Sequence, residues 1–112
     1  MSVFAELDVL VTGLGLPVET GVFSGKAPDE YVVLTPLVDS FTLHADNRPG
    51  YETQEVRLSL FCRGNHFARA RQLAKALLQA GFTIMGRRYV GREDDTSYHH
   101  ATIDVAKTYR WE

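Results

Sequence analysis

The chain has 112 residues, of which 45% are hydrophobic and 23% charged, with a formal net charge of −2. That describes one domain, residues 1–112, able to bury about 65% of its unfolded surface without disulfide staples. The charge balance argues against a dedicated nucleic-acid binder, and no apolar run approaches the ~20 residues of a membrane-spanning helix. The first residues lack the basic start and apolar run of a signal peptide, so the chain is expected to fold in the cytosol. The single cysteine, Cys62, fits a reducing compartment and reads as a small apolar filler.

In chain order, Val3, Phe4, Leu7, Leu10, Val11 and Leu14 recur at helical spacing, which predicts a helix over residues 2–13 with Ser2 as its cap. Gly13 and Gly15 stop it, and Pro17 prevents its resumption. Residues 19–23 and 30–37 read as two short strands, joined as a β-hairpin through the turn chemistry of Ser24, Gly25, Pro28 and Asp29. Pro36 limits the second strand, because proline cannot donate to an interior ladder. Residues 40–44 continue as extended chain, and residues 45–50 read as a polar turn.

Residues 55–81 carry the clearest pattern. Val56, Leu58 and Leu60 alternate with Glu55, Arg57 and Ser59, as in a strand with one buried face, within a strand predicted over 52–61. Gly64 breaks it and Asn65 caps a helix over 65–80. Phe67, Ala70, Leu73, Ala74, Leu77 and Leu78 form that helix's predicted core stripe, and Gly81 stops it. Residues 82–90 form a strand with Gly86 as a bulge. An acidic loop follows, then a strand over 97–109, expected to be the longest. It should place Ala101, Ile103 and Val105 on one face, and Tyr98, His100, Thr102 and Asp104 on the other. The order implies an α+β fold: a mixed or antiparallel sheet of four to five strands with both helices on one face.

No catalytic signature is present: there is no glycine-rich phosphate loop, nucleophile elbow or zinc-helix motif. His99 and His100 stand beside Glu93, Asp94 and Asp95, but neighbours on a strand point to opposite faces and cannot easily share an ion. His100 and Asp104, four apart on a strand, lie roughly 13 Å apart, so Asp104 is expected to pair across strands with Arg57 instead. No catalytic, metal or cofactor residue is therefore assigned. Arg87, Arg88 and Tyr89 interleave cations with an aromatic, a weak nucleic-acid signal and also the composition of protein interfaces. Arg57, Phe61, Tyr98 and His100 join them as the candidate interface on a mixed polar and aromatic sheet face.

The segments Tyr31–Leu37, Ala45-Asp46-Asn47, Glu55–Phe61 with Gly64-Asn65, Ala80-Gly81-Phe82 and Asp95–Val105 resemble those of small bacteriophage and prophage tail-completion proteins. The resemblance spans residues 16–111 and implies a tail terminator or head–tail joining protein. It implies a structural virion protein without catalytic residues, assembled in the bacterial cytoplasm and located in the tail. Such a protein forms a homo-oligomeric ring, usually a hexamer, that ends tail-tube growth. Its partners would be itself, the tail-tube protein and a head–tail connector, with no membrane and no specific nucleic acid. The alternatives are another tail-tube or connector component, a small nucleic-acid-binding sheet domain, or a small enzyme using His99 or His100 with Asp94 or Asp95.

Overall fold

The computed structural model describes residues 3–21, 28–45 and 48–110, with the side chains of residues 38–45 and 48–49 outside that description. The elements run α1 (Val3–Gly13), β1 (Val18–Thr20), β2 (Glu30–Ala45), β3 (Arg48–Cys62), α2 (His66–Gln79), β4 (Thr83–Arg92) and β5 (His99–Arg110). The strands form a five-stranded sheet in the order β1-β2-β3-β5-β4. The β1–β2 pair is parallel and the other three pairs are antiparallel, so the sheet is mixed and the fold is α+β.

Register explains where the core sits. Directly paired residues share a face, so Val32–Leu60–Ala101, Leu34–Leu58–Ile103 and Val56–Val105–Ile84 form rows across the strands. These rows meet Val3, Leu7 and Val11 of α1 and Leu73, Ala74 and Leu77 of α2 in one cluster. Both helices therefore lie on the same face. Cys62 is buried in this cluster, and burial pushes its thiol up from its ordinary range, as suits a filler.

Two cations tie the layers together. Lys107 on β5 donates to Glu6 Oε2 of α1 and to the Ala80 carbonyl at the end of α2, each at 2.9 Å. Tyr109 donates to the same Glu6 oxygen at 2.9 Å. At the other end Arg69 of α2 reaches Glu30 of β2 at 2.5 Å and the Leu14 carbonyl just past α1 at 3.1 Å. Each cation joins two helices to the sheet, which fixes how far the helices slide over it.

Several expectations are corrected. The segment after α1 does not form a hairpin: Val18, Glu19 and Thr20 pair parallel to Val32, Val33 and Leu34. Residues 22–27, most of the expected turn, lie outside the described residues, as do Ser2 and residues 46–47. Strand β2 does not stop at Pro36; it continues to Ala45 through a register shift between Pro36 and Val38. β1 pairs only with residues 32–34, so at Pro36 the outer edge of β2 faces no described strand, and a missing N–H costs little there. Residues 48–50, expected in a turn, belong to β3, and both β2 and β3 are longer than β5. The bulge at Gly86 is present as a register shift between Ile84 and Gly86.

The stripe predicted for α2 is also narrower than expected. Asn65 caps the helix, its side chain accepting from the Ala68 N–H at 3.1 Å. Leu73 and Leu77 are fully buried, but Phe67 is 72% exposed and Leu78 59%. Only one flank of α2 meets the sheet, and its other flank overhangs the β4 edge. Leu77 and Leu78 thus give a paired test by urea denaturation. Leu77→Ala should cost about 3 kcal/mol by leaving a cavity, and Leu78→Ala should stay within about 0.5 kcal/mol.

Candidate functional site

The face of the sheet opposite the helices carries an aromatic ladder. Tyr31, Phe61 and His100 are register partners on β2, β3 and β5. Their rings stack in turn, with Tyr31 on Phe61 at 4.8 Å and 14°, and Phe61 on His100 at 4.3 Å and 17°. The ladder ends there because the β4 residue opposite His100 is Gly91, which has no side chain and a φ of 147°. Each such ring pair contributes about 0.5–1.5 kcal/mol beyond its buried area.

Tyr98 closes the end of this ladder. It precedes β5 and is buried at 3% exposure, with its ring edge-on to Tyr31 and Phe61. Its hydroxyl donates to the Pro28 carbonyl, and the Arg63 guanidinium lies over its ring at 4.4 Å. The expectation that Tyr98 sits exposed on a strand face, ready to meet a partner, is therefore corrected: it is packed inside its own chain. Burial raises the Tyr31 phenol and lowers the His100 imidazole, whose Nε2 is buried with no hydrogen-bond partner.

Arg57 and Asp104 pair across β3 and β5 as the alternation implied. Arg57 Nε and Nη2 donate to the two Asp104 oxygens at 2.8 and 3.0 Å. The carboxylate is thus committed to a fork and not to His100.

The other predicted interface residues divide between faces. Arg88 is paired with Thr102 and shares the ladder's face, whereas Arg87 and Tyr89 are paired with Ile103 and Ala101 and share the helix face. There they line a groove of about 400 Å³ between α2 and β4. Its near wall is His66, Phe67, Ala70 and Arg71, and its far wall is Arg87 and Tyr89. Ala101 and Ile103 lie between. The groove exists because the row Val32–Leu60–Ala101–Tyr89 has only a methyl group between Leu60 and Tyr89, which leaves a hollow between α2 and the Tyr89 ring.

Sequence reasoning missed His66, Phe67, Arg71 and His99 in this place. The His66 ring stacks on His99 at 4.2 Å and on Tyr89 at 5.0 Å, and Tyr89 Oη lies 2.9 Å from His99 Nδ1. Burial first, and the neighbouring His99 second, lower the His66 pKa. One signal was readable: residues 66–92 contain Arg69, Arg71, Lys75, Arg87, Arg88 and Arg92 and no acid at all. Among the described residues no group of three His, Cys, Asp or Glu side chains is placed to hold a metal ion, and His99 and His100 do point to opposite faces. Nor is any helix among them long and apolar enough to cross a membrane.

The two lowered histidines set a pH dependence. His66 and His100 bind protons less readily in the fold than in the unfolded chain, whose imidazoles titrate near about 6.5. The stability they contribute is complete above that value and is lost as pH falls through their folded-state values. The urea midpoint should therefore drop between about pH 7 and about pH 5. His100→Phe keeps a flat ring on Phe61 and removes one titrating group, so its midpoint should drop less over the same range. An equal drop would assign the effect to other groups.

No protein-family model and no curated protein matches the sequence. The ladder and the groove have to be read from their own chemistry.

Proposed function

We propose that the protein is a structural subunit of a bacteriophage or prophage tail, closing with copies of itself into a ring at the head-proximal end. There it would stop tube growth and join the tail to the head connector. The observation that carries this reading is the shape: 54 × 26 × 23 Å, drawn out by β2 and β3 running well past both helices. A sheet covered on one face and extended into an arm offers long lateral surfaces, and its groove is open and shallow-walled. Such surfaces suit packing of subunit against subunit. The segments named above as resembling tail-completion proteins support the same reading. In it the protein is not an enzyme, takes no cofactor, and works through the geometry of its contacts, within the virion tail.

A second reading has its own observation. The groove sets Arg71 and Arg87 around the stacked rings of His66 and Tyr89, and cations with stacking platforms are what single-stranded nucleic acids bind. Its signature is affinity that falls steeply with salt.

Light scattering coupled to gel filtration over a concentration series separates the two. The ring reading expects a closed species of about six times 12.6 kDa, alone or on added tail tubes, visible as rings by electron microscopy. Open filaments would point instead to a tube subunit. A strict monomer that neither assembles nor caps tubes, yet binds oligonucleotide in a salt-dependent way, would replace the ring reading with the second.

A further inference from the structure

The two walls of the α2–β4 groove repeat one arrangement. α2 starts at the His99 end of the sheet, where His66 meets the Tyr89 and His99 rings, and finishes near Ala80, whose carbonyl accepts from Lys107. β4 runs the opposite way, toward its pairing of Arg92 with His99. On the helix wall Arg71 therefore lies one turn, about 6 Å, from Phe67 toward the Lys107 end. On the strand wall Arg87 lies about 7 Å from Tyr89 in the same direction and on the same face. Both walls thus place an aromatic residue toward one end of the groove and an arginine toward the other.

The aromatic end is held in place. Tyr89 stacks on His66 at 5.0 Å, and its hydroxyl oxygen lies 2.9 Å from His99 Nδ1, so the ring cannot swing away without breaking both contacts. Tyr89 and Phe67 are nevertheless exposed. The cationic end is unspent. Among the described residues the Arg71 and Arg87 side chains have no ion-pair or hydrogen-bond partner, whereas Arg69 is held by Glu30, Arg92 by Asp94 and Ser97, and Arg57 by Asp104. No acid lies within residues 66–92 to neutralise them, and Asp104 is committed to Arg57 on the other face of the sheet.

We propose that this groove is a binding site for a nucleotide unit, a flat base joined through its sugar to a phosphate. The base lies against Phe67 and Tyr89, the phosphate sits between Arg71 and Arg87, and the sugar spans the step between them. Stacking on an aromatic face and charge-assisted bonds from arginine are the two interactions that such a ligand offers. At about 400 Å³ the groove falls within the roughly 300–1,000 Å³ of small-ligand sites. An inorganic anion or an acidic aliphatic peptide would use the cationic end alone. The unit can be a free nucleotide or one residue of a single strand. Glu93, Asp94 and Asp95 follow β4 directly, and their charge opposes a polyanion continuing past the aromatic end. The inference takes up the groove of the second reading, narrows it to one nucleotide, and does not depend on whether copies of the chain close into a ring.

Isothermal titration calorimetry with thymidine monophosphate, thymidine and inorganic phosphate tests it. The monophosphate should bind at least about tenfold more tightly than either half. Arg71→Ser/Arg87→Ser should weaken the monophosphate at least about tenfold and leave thymidine unchanged, whereas Phe67→Ala/Tyr89→Ala should weaken both. Far-UV circular dichroism checks that each variant is folded, and Phe67→Ala alone serves if loss of the Tyr89 ring disturbs β4.

A short oligothymidylate distinguishes the sources. Affinity well above that of the monophosphate, falling steeply with salt, assigns the site to single-stranded nucleic acid, and affinity no greater assigns it to a free nucleotide. The site is overturned if neither the monophosphate nor the oligomer binds, if inorganic phosphate binds as well as the monophosphate, or if the arginine variant binds like the wild type. An aspartate-rich peptide that bound where the monophosphate did not would give the groove to a protein partner instead. Assembly is read separately by light scattering, so loss of this site leaves the ring reading standing, and a strict monomer that binds the monophosphate overturns the ring alone.

Discussion

Two short helices cannot cover the sheet beneath them, and this constraint shapes everything else. Helices of 11 and 14 residues are about 16 and 21 Å long, whereas strands of 16 and 15 residues extend about 50 Å. The hydrophobic layer is accordingly confined to the rows nearest the start of β2 and the end of β3, Val32–Leu60, Leu34–Leu58–Ile103 and Val56–Val105, where α1 and α2 can reach. Beyond it the chain has to stabilise sheet without help from a second layer. Lys107 and Arg69, each bonded to both helical segments and to the sheet, hold the small covered region in place. A helix that slid by one turn would break two charge-assisted contacts together.

The uncovered face answers the same shortage with side chains laid flat along the strands. Stacking Tyr31, Phe61 and His100 in register buries aromatic area within the sheet surface itself, so those strands need no opposing layer there. Burial leaves its mark on chemistry: it pushes the His100 imidazole down from its ordinary pKa and the Tyr31 phenol up from its own. Toward the middle of the strands, the Arg57–Asp104 fork does with charge what the ladder does with rings. Two residues first considered for contact with partners, Tyr98 and His100, are thereby largely consumed by the fold. Phe61 is also held between stacked rings, which leaves Arg87, Arg88 and Tyr89 as the interface candidates with open surface.

What the sequence revealed, and what it hid, follows from the range of each signal. The cap at Asn65, the alternation of Val56, Leu58 and Leu60, and the Arg57–Asp104 pairing are set by neighbours one strand or one turn away, and all were readable. The parallel pairing of β1 was not, because turn residues announce that the chain bends and not which way it returns. Apolar spacing in α2 marked a helical face but could not say how wide the sheet beneath it is, so Phe67 and Leu78 looked like core. Tyr98 is fixed by a carbonyl 70 residues away, a contact no local pattern carries. The groove depends on Ala101 being small between Leu60 and Tyr89 in a row assembled from four strands, which only the register reveals.

β4 is an outermost strand, and its exposed run includes Met85, Tyr89 and Val90. Such an edge invites pairing with any passing strand, and proteins restrain it with charge, bulges and glycine. β4 has all three: Arg87, Arg88 and Arg92, register shifts at Ile84/Gly86 and Tyr89/Gly91, and glycines at the shifts. These devices oppose pairing with an identical edge, since the arginines would meet arginines. The edge keeps its exposed apolar side chains, so the arginines and the broken ladder, and not polarity along its whole length, are what restrain it.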